Sequence, residues 1–286
     1  EWPQINSLIR KAEKDMPSSL TPAEVMAWFK DFEPRTAKGV DRYMMALLTA
    51  GRQAEAKTFL AKWWGETTLS RDDQKWLYGK YKAYLTTDAH RNRFDAMLFR
   101  GQDRNAKALA GILGAGYAEL ADARIALSDE KKNVNGLIAR VPKHLQDDAG
   151  LLYERLRWRR RNNLNDGAIE ILNMAQVLKS QNLQNRKGWW RERHIIIRRL
   201  LEKKQFTQAY ALAQRHIQEP GSFEYAQAQW VAGWLALRFA KKPTEALQHF
   251  EALYVNVKTP ISKSRGAYWA GRAAEEIDTS ISVRWF

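Results

Sequence analysis

The sequence predicts an all-α fold, a superhelix (solenoid) of tetratricopeptide-like helical hairpins. Three observations predict it. The composition favours helix, with only 8 prolines and 16 glycines in 286 residues against abundant Ala, Leu, Arg and Lys. No run alternates β-branched with polar residues, and even Ile195-Ile196-Ile197 lies in WWRERHIIIRRLLEKK, where charges recur at helical spacing. An alanine also stands five positions after a glycine or polar break at Gly51/Ala56, Gly101/Ala106, Asn163/Ala168, Lys204/Ala209 and Lys241/Ala246. The spacing of these units is irregular and wider than the 34 residues of a regular tetratricopeptide array. A degenerate superhelix with extra helices in its first half fits this pattern.

The clearest hairpin is 222–254. Its first half repeats Phe223, Ala226, Trp230, Gly233 or Trp234, and Leu237 at helical spacing. Pro243 and Thr244 interrupt it, and a second run carries Ala246, Leu247, Phe250, Leu253 and Tyr254. Trp230, Ala246 and Phe250 stand at tetratricopeptide signpost positions. Such a hairpin cannot bury its apolar faces alone and needs a neighbour on each side.

The other elements follow in order. A short helix is expected over 2–15, broken by Pro17-Ser18-Ser19. Thr21-Pro22-Ala23-Glu24 is a capping box with Pro at the first helical position, leading into a helix with Val25, Trp28 and Phe29. A turn over 34–39 precedes a hairpin broken at Gly51. LADARIAL, VNGLIARV and the capped DDAGLLYERLRWRRR supply intervening helices. Residues 262–277 form another first helix with a small-residue face, Ala267, Ala270, Gly271 and Ala274, and no second helix is expected in DTSISVRWF. No low-complexity linker divides the chain. One superhelical domain over 1–286 is expected, with an N-terminal sub-lobe near 1–40, and the break in mid-repeat suggests a piece of a longer protein.

The net charge of +15 implies an acidic or polyanionic partner, or solubility alone. Zero cysteines exclude a disulfide framework and cysteine-held metals. No apolar run reaches the roughly 18 residues of a membrane span, and no signal peptide is visible. H-E-x-x-H, G-x-S-x-G and Walker patterns are missing. The glycines at 111, 114 and 116 follow no predicted strand, so a helix boundary is expected there. The histidines at 90, 144, 194, 216 and 249 have no ligand spacing, so neither metal nor cofactor is expected. No carboxylate stands out as a catalytic acid. What remains is a basic-aromatic pattern. Arg155, Arg157, Trp158, Arg159, Arg160 and Arg161 crowd one helix, and Trp189, Trp190, Arg191 and Arg193 another. Guanidinium and indole groups hold a polyanion by charge and stacking, or a sugar ring by its C–H face. Arg157, Trp158, Arg160, Trp189, Trp190 and Arg193 are the candidate binding residues. The competing reading is that the tryptophans are core and the arginines reach water or cap carbonyls.

Four stretches in order resemble soluble lytic transglycosylases: YLTTDAHRNRFDAMLFRGQDRNAKAL, VNGLIARVPKHLQDDAGLLYERLRWRRR, GWWRERHIIIRRLLEKKQFTQAYALAQRH, and WVAGWLALRFAKKPTEALQHFEALYVNVKTPISKSRGAYWAGRAAE. The most specific pieces are LxYERxRWRR at 151–160, GWWRER at 188–193, GWLALRF at 233–239 and TPISxxRGAYWAGRAAE at 259–275. The resemblance covers essentially 2–277. It implies a periplasmic α-superhelix, curved (U- or ring-shaped), preceding a lysozyme-like domain that cleaves between N-acetylmuramic acid and N-acetylglucosamine, leaving a 1,6-anhydromuramoyl end. The catalytic glutamate of that family lies in a Glu-Ser motif, which this sequence lacks, as it lacks Gly-Leu-Met-Gln and Ala-Tyr-Asn-Ala-Gly. The resemblance therefore implies a non-catalytic part whose partners are glycan strands and the family's own C-terminal catalytic domain, with no catalytic residue here and no nucleic acid. The alternative reading is a tetratricopeptide-like periplasmic adaptor for a protein partner. A helical-repeat nucleic-acid binder is a third, supported by charge alone.

Overall fold

The computed structural model describes residues 4–178 and 185–285, and all regular structure among them is helical. By contacts the chain divides into two compact units, Glu1–Ile125 and Ala126–Phe286. The first contains α1 (Ile5–Lys14), α2 (Pro22–Asp31), α3 (Ala37–Thr49), α4 (Gln53–Glu66), α5 (Arg71–Tyr81), α6 (Thr87–Phe99) and α7 (Asp103–Leu113). The boundary falls within α8 (Tyr117–Ser128). The second unit continues with α9 (Val134–Arg140), α10 (Ala149–Arg161), α11 (Asn165–Asn173), α12 (Ala175–Leu178), α13 (Arg186–Glu202), α14 (Phe206–Gln214), α15 (Phe223–Leu235), α16 (Pro243–Asn256), α17 (Pro260–Glu275) and α18 (Thr279–Ser282). In the first unit α2 packs on α3, α3 on α4, α4 on α6 and α6 on α7, with α1 and α5 both set against α3. In the second unit the hairpins α10/α11, α13/α14 and α15/α16 contact one another in that order, and α16 packs on α17.

The alanine-after-break pattern has a single stereochemical basis. Gly51, Gly101, Asn163, Lys204 and Lys241 all adopt the left-handed conformation, with φ from 54° to 72°. At the first four of these the next residue donates its N–H to the carbonyl five residues back: Arg52 to Leu47 (2.8 Å), Gln102 to Met97 (2.9 Å), Leu164 to Arg159 (2.8 Å) and Gln205 to Leu200 (2.8 Å). This closes the first helix as a Schellman motif. At the fifth, the π-helical turn 236–240 lengthens the loop, and Lys242 donates to Ala236 at 3.0 Å. The alanine then falls on the first turn of the second helix, and Ala56, Ala106, Ala168, Ala209 and Ala246 are all fully buried. Glu130 makes the same turn, with Lys131 bonded to Ala126 at 3.0 Å, but without the alanine.

Local signals elsewhere set the helix ends. Thr21 and Glu24 form the reciprocal capping box before α2. Val25 and Phe29 then pack with Ala46 of α3. The expected turn over 34–39 is shorter, because Thr36 caps α3 and Ala37 is already helical. Buried Glu13 of α1 holds that start, its carboxylate accepting from the backbone of Arg35 and Thr36, both at 2.7 Å, and from the Thr36 hydroxyl at 2.6 Å. The expected helix over 2–15 begins partly outside the described residues. Gly114 and Gly116 carry positive φ in the break between α7 and α8.

Two expectations about the C-terminal hairpins are corrected. In α15, Phe223 is 70% exposed and Trp230 only half-buried, while Tyr225, Ala228, Ala232 and Leu235 form the buried stripe. This helix is apolar on nearly every face, so periodicity alone could not choose the stripe. The close approach of small Ala228 and Ala232 chose it. α17 starts at Pro260 under a Thr259 cap, and DTSISVRWF contains the short helix α18, packed against α17.

A polar cluster forms inside the second unit. His249 Nδ1 lies 2.7 Å from Gln229 Oε1, and His216 accepts from the Gln218 N–H at 3.3 Å. Burial, with His249 and Arg193 nearby, pushes His216 down to about 4, and burial also lowers His249.

Two outcomes are expected from these features. Gly51→Ala should destabilise by about 1 kcal/mol and Lys204→Gly should stabilise by up to ~1 kcal/mol, since a side chain costs ~1–2 kcal/mol in the left-handed region and glycine returns part of that as backbone entropy. Urea unfolding of both variants measures this. The buried histidines bind protons more readily unfolded, near the ordinary 6.5, than folded. Their stability contribution is therefore complete above pH 6.5 and is lost as pH falls towards 4. For His216 the loss is on the order of 3 kcal/mol, and His216→Gln should flatten that part of the pH–stability curve.

Candidate functional site

The basic-aromatic segments α10 and α13 lie against each other, and most of their charge is spent inside the protein. On α10, Arg157 donates to buried Glu154 at 2.8 Å, and its guanidinium sits over the Tyr153 ring. Arg159 reaches the Gly167 carbonyl at 2.6 Å, and Arg161 the Glu130 carboxylate at 2.5 Å. Arg160 forms a two-point ion pair with Glu192 of α13, its Nη2 reaching Glu192 Oε1 at 3.2 Å. Arg199 of α13 returns to the end of α10, donating to the Arg160 carbonyl at 2.8 Å and to Asn165 Oδ1 at 2.7 Å. Trp158 is half-buried between these arginines.

Arg193 is 1% exposed. Its two Nη atoms donate to the Leu172 carbonyl at 2.7 Å and the Leu212 carbonyl at 2.8 Å. It thus ties the last turns of α11 and α14 together, where the negative ends of two helix dipoles meet one cation. Burial and the neighbouring Arg215 lower its pKa. Arg93 does the equivalent work in the first unit, fully buried on the Trp64 ring and donating to the carbonyls of Trp64 and Thr67. Trp189, also 1% exposed, packs against Tyr153 with the rings tilted by 60° and centroids 5.4 Å apart. A Cβ at Gly188 would lie 2.5 Å from the Tyr153 hydroxyl, so only glycine lets α10 and α13 approach this closely.

Of the six candidate binding residues, Arg193 and Trp189 are therefore core, and Arg157 and Arg160 are engaged with Glu154 and Glu192. Trp190 too is buried, 3% exposed, but it borders an open cleft of about 420 Å³ between the start of α13 and α15. The indole N–H donates to Gln227 Oε1 at 3.0 Å, and the ring stacks on His194 with planes 6° apart. Burial and Arg198 lower the His194 pKa, so the imidazole is neutral at pH 7. Asn185, in the left-handed conformation, caps α13 by accepting from the Gly188 N–H at 3.2 Å. Lys187 and Arg191 line the α13 side, and Glu224 and Gln227 the α15 side.

Sequence reasoning missed Lys187, Glu224, Gln227 and His194. Arg191 was noticed only as part of its cluster. Lys187 and Arg191 are four residues apart on the helix that carries Trp190, which is the signal available in sequence; nothing local pairs α15 with them. Among the described residues no group of three His, Asp or Glu side chains is placed to hold a metal ion, and no helix is long and apolar enough to cross a membrane. No protein-family model matches the chain, and a search of curated proteins finds no match.

Arg193→Met should leave two buried helix-end carbonyls without a donor. A loss of about 2–4 kcal/mol is expected, measured by chemical unfolding, and it should exceed the effect of Arg157→Met, since the Arg157 side chain is itself 20% exposed.

Proposed function

We propose that this chain is the non-catalytic superhelical part of a peptidoglycan lytic transglycosylase, a periplasmic scaffold that holds glycan strands for a separate lysozyme-like domain. The observation that carries the reading is the ordered set of segments resembling that family. Two of its most specific segments also interlock: Arg160 of LxYERxRWRR pairs with Glu192 of GWWRER, and Tyr153 packs on Trp189 and Gly188. Residues that look diagnostic in sequence are thus a structural couple, which supports common descent with proteins that keep both motifs. The net charge of +15 supports attraction to a carboxylate-bearing polymer. No catalytic residue is assigned to this chain, and no cofactor is invoked.

Sedimentation with purified sacculi tests the reading. Binding is expected at physiological salt, without release of 1,6-anhydromuropeptides. Release by this chain alone, or no sedimentation together with a stoichiometric protein partner, would overturn the scaffold assignment in favour of an enzyme or an adaptor. Nucleic-acid binding through phosphate contacts alone is expected to fade steeply as salt rises.

A further inference from the structure

The cleft beside Trp190 holds an unusual distribution of charge. Carboxylates around it are paired: Glu192 with Arg160, Glu154 with Arg157, and Glu219 with Arg186 at 3.0 Å. Lys187 and Arg191 on the α13 wall and Glu224 on the α15 wall make no ion pair with one another or with any other described residue. Two cations and one carboxylate thus face a common space without closing on each other. Between them lies a polar floor, the Gln227 amide fixed through its oxygen by the buried Trp190 indole, and the half-buried His194 ring stacked on that indole. The volume, about 420 Å³, falls within the roughly 300–1,000 Å³ of small-molecule clefts.

We propose that this cleft binds a zwitterionic amino-acid head group, its carboxylate held by Lys187 and Arg191 and its ammonium by Glu224. A purely anionic ligand leaves Glu224 opposing it, and a purely cationic one meets two like charges. A group carrying both charges satisfies both walls. The aliphatic stem of such a ligand lies against the half-buried His194 ring, which Trp190 backs, and Gln227 is left with its amide N–H groups to donate. Glu224 also stands in the first turn of α15, where a carboxylate favours the helix dipole; that role alone requires no ligand and makes a different prediction. The source of the head group rests on the peptidoglycan reading, in which it is the free end of a diamino acid in a stem peptide. The charge recognition itself does not.

The test uses the full chain and isothermal titration with diaminopimelic acid, its N-acetylated and carboxyl-amidated derivatives, and a murein tripeptide containing it. The free acid and the tripeptide are expected to bind at least about tenfold more tightly than either blocked form, each blocked group removing about 1.4 kcal/mol or more. Glu224→Gln should erase the advantage of a free ammonium and Arg191→Gln with Lys187→Gln that of a free carboxylate, with melting temperatures lowered by no more than the roughly 1–3 °C that loss of a first-turn carboxylate costs. Equal affinity for free and blocked forms overturns the proposal. So does loss of affinity on amidation alone with Glu224→Gln silent, which describes an anion site. Sacculus binding without tripeptide selectivity defeats this inference and leaves the scaffold reading intact. Tripeptide selectivity without sacculus binding does the reverse.

Discussion

Two antiparallel helices joined by three residues pack only if the first stops abruptly and the second leaves in a fixed direction. The left-handed residue at each break supplies both. It ends the first helix by turning its own and the following N–H back onto the last-turn carbonyls, and it aims the chain into the next helix. The position of the buried alanine follows from this geometry. Five residues past the turn, the second helix crosses closest to the first, and only a methyl group fits. The larger side chains one turn further on, such as Phe250 after Ala246, then fill the widening gap; Phe250 lies so close to Gly233 that a Cβ there would meet its ring at 2.7 Å. The repeat is a repeat of connections, and helix lengths vary freely between them.

That freedom creates a second problem, since helices of unequal length end inside the protein with unsatisfied carbonyls. Long arginines from neighbouring helices solve it. Arg93 reaches the end of α4, Arg193 the ends of α11 and α14, and Arg199 the end of α10. A buried guanidinium is costly to desolvate, but it carries five donors in a rigid fork, and helix-end carbonyls bring partial negative charge. The same helices therefore need few buried carboxylates as counter-charges. Part of the arginine content is thus internal mortar, placed where helix ends need donors.

These two devices explain what was legible in sequence. The all-helical class, the hairpin breaks and the alanines were readable because each depends on residues a few positions apart. The capping box at Thr21 and the Asp148 cap of α10 were readable for the same reason. The binding candidates were less so. Arg193 looks like its neighbour Arg191 in sequence, yet a rotation of 100° per residue around α13 buries Arg193 with Trp189 and Trp190 and leaves Arg191 at the cleft. No property of the two arginines distinguishes them. Only the identity of what packs against α13, namely Tyr153, Leu172 and Leu212, decides which face is inside. The histidine cluster was illegible on the same ground, because His216 and His249 meet through Gln229 on a third element.

The cleft gains significance from how thoroughly charge is satisfied around it. A helix surface rich in Lys and Glu normally carries unpaired charges at little cost, because water solvates them. Lys187, Arg191 and Glu224 differ in facing one concavity whose floor and wall are already fixed by the Trp190–Gln227 hydrogen bond and the His194 stack. Preorganised polar groups lose little freedom when they bind, so their affinity is set by how well the ligand matches their charges. A cleft built from fixed walls and opposed charges is selective for the pattern of a ligand's charge as well as its sign. The same positive surface elsewhere on the chain attracts any anion.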